Sequence, residues 1–187
     1  TAIELFNQAI DKDPNYALAY VGLADSYSLL TIFSDARPRD AFPRAKAAAL
    51  KALEINETLA EAHNSLAYVY EYYDWNWKAA EADFKRALAL NPNYAMAHYW
   101  YGELLGWLGR YEESIQEMKR ALELDPVSLI INTGLGYTYQ RARQLDQALA
   151  QLHKTLELDP NFALAHGILG RTYFSKNKLS EAIDEFK

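Results

Sequence analysis

Four histidines are the residues of this chain best suited to bind a metal or relay a proton, and their spacing speaks against both. His63, His98 and His166 recur at equivalent places in successive segments, too far apart to share an ion, and no His-x3-His pair offers zinc-ligand spacing. His153 falls on the polar face of a helical pattern. The absence of cysteine excludes a disulfide framework and thiolate zinc sites. Gly134-Leu135-Gly136 resembles part of a phosphate loop, but it lacks the Gly-Lys-Ser/Thr ending and lies inside a helical pattern. Gly136 reads instead as a close approach of two helices. Glu112 and Glu113 stand at a helix start, where carboxylates favour the helix dipole. Asn56-Glu57-Thr58 is a formal glycosylation sequon at a junction between elements. These residues lead us to expect no catalytic site, no cofactor and no metal.

The elements around them repeat. The phrase Ala80-x3-Phe84-x2-Ala87-x4-Pro92 returns as Ser114-x3-Met118-x2-Ala121-x4-Pro126 and as Ala148-x3-Leu152-x2-Thr155-x4-Pro160, with the prolines 34 residues apart. An earlier copy is Ala2-x3-Phe6-x2-Ala9-x4-Pro14. A fixed period of this size predicts stacked helix pairs. In the third unit His98, Tyr101, Gly102 and Leu105 mark one helical face, Gly109 marks its end, and Tyr111, Ile115, Met118 and Leu122 mark a second helix. Asn177 takes the place of Gly109 in the fifth unit; Arg143 takes it in the fourth and predicts a turn of another type. Asp125-Pro126 closes a unit, with Asp as a cap of the next helix and Pro at its first position.

The resulting division is a single array over 1–187. It comprises a second helix of a truncated repeat (1–14), a repeat with about nine extra residues (15–57), full repeats (58–92, 93–126, 127–160) and a truncated last one (161–187). The extra residues lie within 31–44 and predict a lengthened first helix, a loop around Ser34 to Arg39, and a second helix capped by Asp40 with Pro43 in its first turn. The chain reads as a piece of a longer protein. Half its residues are hydrophobic and its formal charge is −6, so it is no disordered chain, and its acid excess speaks against a nucleic-acid surface. It has no run of apolar residues that spans a membrane.

The aromatic/His, Leu, Gly/Ala, Tyr series of each first helix and the Ala-x3-Phe-x2-Ala-x4-Pro series of each second resemble tetratricopeptide repeats over nearly the whole chain. The resemblance implies an all-α, right-handed solenoid of antiparallel helix pairs that presents a concave groove to a partner peptide or protein, with no reaction of its own. Stretches such as Pro38 to Lys46, Tyr73 to Trp77 and Asp125 to Asn132 are similar to repeat tails of bacterial multidomain signalling proteins, which implies a cytoplasmic regulatory module.

In the family the groove is lined by first helices. Carried onto this chain, the lining takes in Asp25 and Glu61, with Asn64, Tyr68, Glu71, Tyr72, Tyr99, Glu103, Trp107, Tyr137, Arg141 and Arg171. Rings there bring large contact area at little rotamer cost. Acidic residues toward one end, and Arg141 and Arg171 toward the other, set a direction for a bound segment. The positions that hold a carboxylate in the chaperone-binding subclass carry Val21, Asp25, Ser65 and Met96, so no such clamp is expected. A structural alternative is self-association end to end, through Ile3, Phe6 and Ile10 at one end and Ile183 and Phe186 at the other.

Overall fold

Small residues in each first helix face large ones in each second, and this lets the helix pairs close to contact distance. The computed structural model describes residues 1–187 apart from the side chain of Phe33. Its helices are α1 (Ala2–Lys12), α2 (Ala17–Phe33), α3 (Pro38–Ile55), α4 (Ala60–Tyr72), α5 (Trp77–Leu90), α6 (Ala95–Trp107), α7 (Tyr111–Leu124), α8 (Leu129–Arg141), α9 (Leu145–Leu158), α10 (Ala163–Ser175) and α11 (Leu179–Glu185). Among the described residues there is no strand, and no helix is long and apolar enough to cross a membrane.

The chain divides into two compact units, Thr1–Ala97 and His98–Lys187. In the first, α1 packs on α2, α2 on α3, α3 on α4, and α4 on α5. Leu23, Ala24, Ala48, Ala49 and Leu66 form a core there, and Ile3, Phe6 and Ile10 pack against it. In the second, α7 packs on α8, α8 on α9, α9 on α10, and α10 on α11. Leu152, Ala165, Ile168 and Leu169 form one of its cores. The large residue of the recurring phrase lands on a first-helix glycine: a Cβ on Gly136 would stand 2.7 Å from Leu152 Cγ, and one on Gly170 2.6 Å from the Phe186 ring. Gly136 is thus the close approach that the sequence indicates. Ile183 and Phe186 are otherwise exposed.

The turns correct three expectations. Arg143 does not change its turn: at φ 61° it is left-handed like Gly109 (φ 76°) and Asn177 (φ 60°), and Trp75 (φ 54°) takes the corresponding place after α4. The turn geometry overrides the residue's own preference, at a cost on the order of 1 kcal/mol. Asp125-Pro126 does not cap α8. Asp125 is the C-cap of α7, and the helix after it is capped by Ser128, whose hydroxyl accepts from Ile131 N–H. At the other four junctions the acidic or amide residue serves the turn itself: Asp13, Asn56, Asn91 and Asp159 each accept from the backbone N–H two residues on, at 2.9–3.1 Å. Proline follows Asp13, Asn91 and Asp159 in the second turn position, which its fixed φ suits, and Glu57 follows Asn56. Finally, α2 is lengthened as expected, but α3 begins at Pro38 after an Arg37 cap rather than at Asp40, and Pro43 falls in its second turn. Asp40 instead accepts from Arg37 Nε at 2.9 Å.

The histidines have a shared structural task. At one first-helix position, Tyr20, His63, Asn132 and His166 reach back to the carbonyls of Pro14, Glu57, Pro126 and Pro160, at 2.9–3.3 Å. The same position reaches across to the second helix of its own pair. His63 Nδ1 lies 2.7 Å from Asp83, His98 Nδ1 2.6 Å from Glu117, and His166 Nδ1 2.6 Å from Glu185. In the fourth pair, Gln151 Nε2 donates to Asn132 Oδ1 at 2.7 Å. One side chain therefore ties the helices of a pair together, as an ionisable pair in three repeats and as a neutral amide pair in one, and from His63, Asn132 and His166 it also reaches the turn before.

The amide clamp should be interchangeable with the others. Gln151→Ala is expected to cost about 1–2 kcal/mol, because it strands a buried partner, whereas Asn132→His with Gln151→Glu should restore most of it in urea unfolding. The Pro160 carbonyl and the Glu185 carboxylate together hold the His166 imidazole above its ordinary pKa. That stabilisation is complete below the unfolded value near 6.5 and fades as pH rises through the folded one. His166→Asn should therefore lose more stability at pH 5.5 than at pH 8.

Candidate functional site

With the second helices committed to packing, the first helices carry the side chains left to meet a partner. In the second unit, Tyr99, Glu103 and Trp107 lie at four-residue spacing on one face of α6. Tyr99 is 8 % exposed, and its ring occupies the space a Cβ on Gly134 of α8 would need, 2.5 Å away. It is largely taken up by packing between repeats. Trp107 is half exposed. Arg141 crosses from α8 and lays its guanidinium over the Trp107 ring, 4.2 Å from the centroid, while its Nη2 donates to Gly106 O at 2.7 Å. Glycine at 106 leaves room for it, since a Cβ there would meet Arg141 Nη1 at 3.3 Å.

Arg141 also stands 5.4 Å from the centroid of Tyr137 and 5.8 Å from that of Tyr111, and Arg171 of α10 lies 5.4 Å from Tyr137. The outcome is an alternating ladder of ring and guanidinium: Trp107, Arg141, Tyr137, Arg171. Each such contact is worth roughly 0.5–1 kcal/mol when exposed and more when desolvated. Phe174 continues the surface and is strongly exposed. A shallow hollow of about 320 Å³ lies beside it, lined by Gln140, Arg171, Phe174, Ser175 and Phe186. Glu103 sits deeper, 9 % exposed, and burial pushes its carboxyl up to about 7, with the Arg141 charge opposing.

In the first unit, Tyr68 and Tyr72 stack at 4.4 Å, and Phe42 of α3 adds to the stack against Tyr68 and Tyr73. Tyr68, Asn64 and Glu71 are all buried, and burial, then the Glu71 charge, push the Tyr68 phenol up to about 12. The structure thus brings together the proposed lining within each unit, but sorts it by exposure: Tyr68 and Tyr99 are largely covered, while Trp107, Arg171 and, in part, Tyr72, Tyr137 and Arg141 are open. The sequence did not mark Phe42 or Tyr94 as site residues, and it read Gly134 only as part of an incomplete phosphate-loop pattern. Phe42 could have been found, because it sits in the extra residues that lengthen α3.

A series of helix pairs whose second helices pack and whose first helices expose rings and guanidinium groups is the build of a helical-repeat interaction protein. The tetratricopeptide repeat family model matches residues 71–128 and 133–187, more than half of the chain. The chain belongs to that family, an α-solenoid fold that generally serves protein–protein interaction rather than catalysis. A solved relative described as YrrB, a TPR protein with an unusual peptide-binding site, is 27 % identical, with 98 % of this chain and 90 % of that one covered at a TM-score of 0.63. PilF of Pseudomonas aeruginosa is 26 % identical over 91 % of this chain and 73 % of its own, at a TM-score of 0.75. Among curated proteins, the transcriptional regulator HilA of Salmonella paratyphi A is 30 % identical over 115 residues, 62 % of this chain. The chain spans about a fifth of that relative's length.

Glu103 gives this site a measurable pH dependence. A carboxyl whose folded pKa is raised favours the folded state less once it ionises, so stability should fall as pH rises from about 4.5 to about 7. Glu103→Gln should flatten that slope and be the more stable form at pH 8, by up to about 3 kcal/mol in urea unfolding.

Proposed function

We propose that this chain is a protein-binding module of a larger cytoplasmic regulatory protein, and that a partner segment lies along its first-helix faces. The observation that carries the reading is the half-exposed ladder of Trp107, Arg141, Tyr137 and Arg171, extended by exposed Phe174. Packing leaves much of this surface open, with Trp107 half exposed and Phe174 more so. Its guanidinium groups are held by rings and by the Gly106 carbonyl, so they are ordered before a partner arrives, and less entropy is lost on binding. Tryptophan, tyrosine and arginine are also the residues that most often dominate binding energies. Similarity to YrrB, described as a repeat protein with an unusual peptide-binding site, and to the transcriptional regulator HilA supports the two halves of the reading.

Position 107 offers a cleaner test than Tyr68 or Tyr99, whose removal would also open the packing between helices. A photoreactive benzophenone side chain replacing Trp107 in the full-length protein should form a discrete adduct with one partner in the native cell. The same group replacing Lys154, exposed on the second helix α9, should not. Adducts from 154 and none from 107 would overturn the proposal.

A further inference from the structure

The ladder of the second unit carries two positive charges that the fold leaves unbalanced. The chain has 25 acidic residues against 19 lysines and arginines, so carboxylates are not scarce. In the same unit Arg110 pairs with Glu113, Arg120 with Glu123, Lys176 with Asp146 and Lys178 with Glu181. Arg141 and Arg171 have no such partner: among the described residues, no carboxylate oxygen lies within 4 Å of either guanidinium. Both stand 5.4 Å from the centroid of one ring, Tyr137, so two like charges share a small patch. Glu103 of α6 is close enough to feel the Arg141 charge, but it is buried and out of a partner's reach.

The two side chains differ in what they have left to give. Arg141 already donates through Nη2 to Gly106 O at 2.7 Å and lies 4.2 Å from the centroid of Trp107. Arg171 is exposed, and its side chain makes no hydrogen bond among the described residues. A guanidinium held against a ring is placed in advance, and its fork of N–H groups stays free to meet the two oxygens of a carboxylate. Arg171 also lines the hollow of about 320 Å³, together with Gln140, Phe174, Ser175 and Phe186. Both phenylalanines are exposed. A cation and an apolar hollow therefore meet at one residue, and what docks there carries a negative group next to an apolar one.

We propose that Arg171, with Arg141 beside it, takes the side-chain carboxylate of an aspartate or glutamate in the bound protein segment, and that the hollow takes an apolar side chain next to that residue. The subsite rests on the reading of the first-helix faces as the binding surface, and gives the partner a local motif. A singly charged carboxylate suits the place better than a phosphate dianion. Arg141 is the last residue of α8 and Arg171 stands four residues before the end of α10. Both lie toward the negative ends of their helices, which disfavours a doubly charged group. A segment's terminal carboxylate is drawn to nests of backbone N–H groups, whereas the donors here are two side chains.

Short blocked peptides test this without knowledge of the partner. N-acetyl-Leu-Glu-Leu amide, titrated into the 15N-labelled chain at pH 7, should give saturable shifts at the Nε–Hε signal of Arg171 and the backbone amide of Phe174. N-acetyl-Leu-Gln-Leu amide should bind about tenfold or more weakly. Arg171→Gln should weaken the glutamate peptide by a similar factor and leave the glutamine peptide unchanged, with the far-UV spectrum unaltered. Phe174→Ala should weaken both peptides alike. Two further probes separate the sources of charge: the same peptide with phosphoserine in place of glutamate, and the glutamine peptide with a free terminal carboxylate. Tighter binding of either than of the glutamate peptide would overturn the proposal. So would equal binding of the glutamate and glutamine peptides, no saturable shift from the glutamate peptide, or an unchanged affinity in either variant. The broader groove reading is decided separately by the position 107 adducts, which would form whatever the charge of the segment.

Discussion

The close approach of the two helices within each pair is the constraint from which the remaining features follow. Leu152 seated over Gly136, and Phe186 over Gly170, leave no room for a methyl group between them. Interiors packed at this density forfeit dispersion contacts when a gap opens and incur strain when an atom is added. The large residue of the recurring phrase therefore belongs to the second helix and the small one to the first. Once the second helix is spent on packing, the other face of the first helix is the surface that can vary.

The turns and clamps keep that geometry in register. Four of the five junctions place an acidic or amide side chain where it accepts the backbone N–H two residues on. At His63, Asn132 and His166 one first-helix side chain then ties the carbonyl of the preceding turn to the second helix of its pair. The chemistry of the tie is exchangeable: imidazole with carboxylate in three repeats, Asn132 with Gln151 in another. What must be kept is a donor toward the turn and a matched pair across the helices. This explains why three histidines at equivalent places have a structural task and lie far from one another.

The exposed faces of the two units differ in chemistry. In the second unit, guanidinium groups are laid over rings. In the first, Tyr72 and Phe42 both stack on a buried Tyr68. The sequence reading expects acidic residues (Glu61, Glu71 and Glu103) toward one end and Arg141 and Arg171 toward the other. It treats the rings as equal, and they are not. Tyr68 and Tyr99 are covered, and Trp107 is half open. Nothing in the spacing of Tyr99, Glu103 and Trp107 distinguishes them, because all three share one helical face.

Short-range regularities were legible in the residues. The helix pairs, the closing turns, the lengthened α2 and the Gly136 contact all follow from periodicity, turn chemistry and side-chain size, which act within a few residues or within one repeat. The left-handed turn at Arg143 was not legible, because the helices on either side impose it against the residue's preference. Nor was the sorting of groove residues into covered and open. Whether a ring is free depends on what the next first helix sets against it: Gly134 beneath Tyr99, Arg141 over Trp107. The Arg141 bond to Gly106 joins residues 35 positions apart. Contacts at that separation exist only once the helices have packed, so the identity of the face was in the sequence and its accessible part came from the fold.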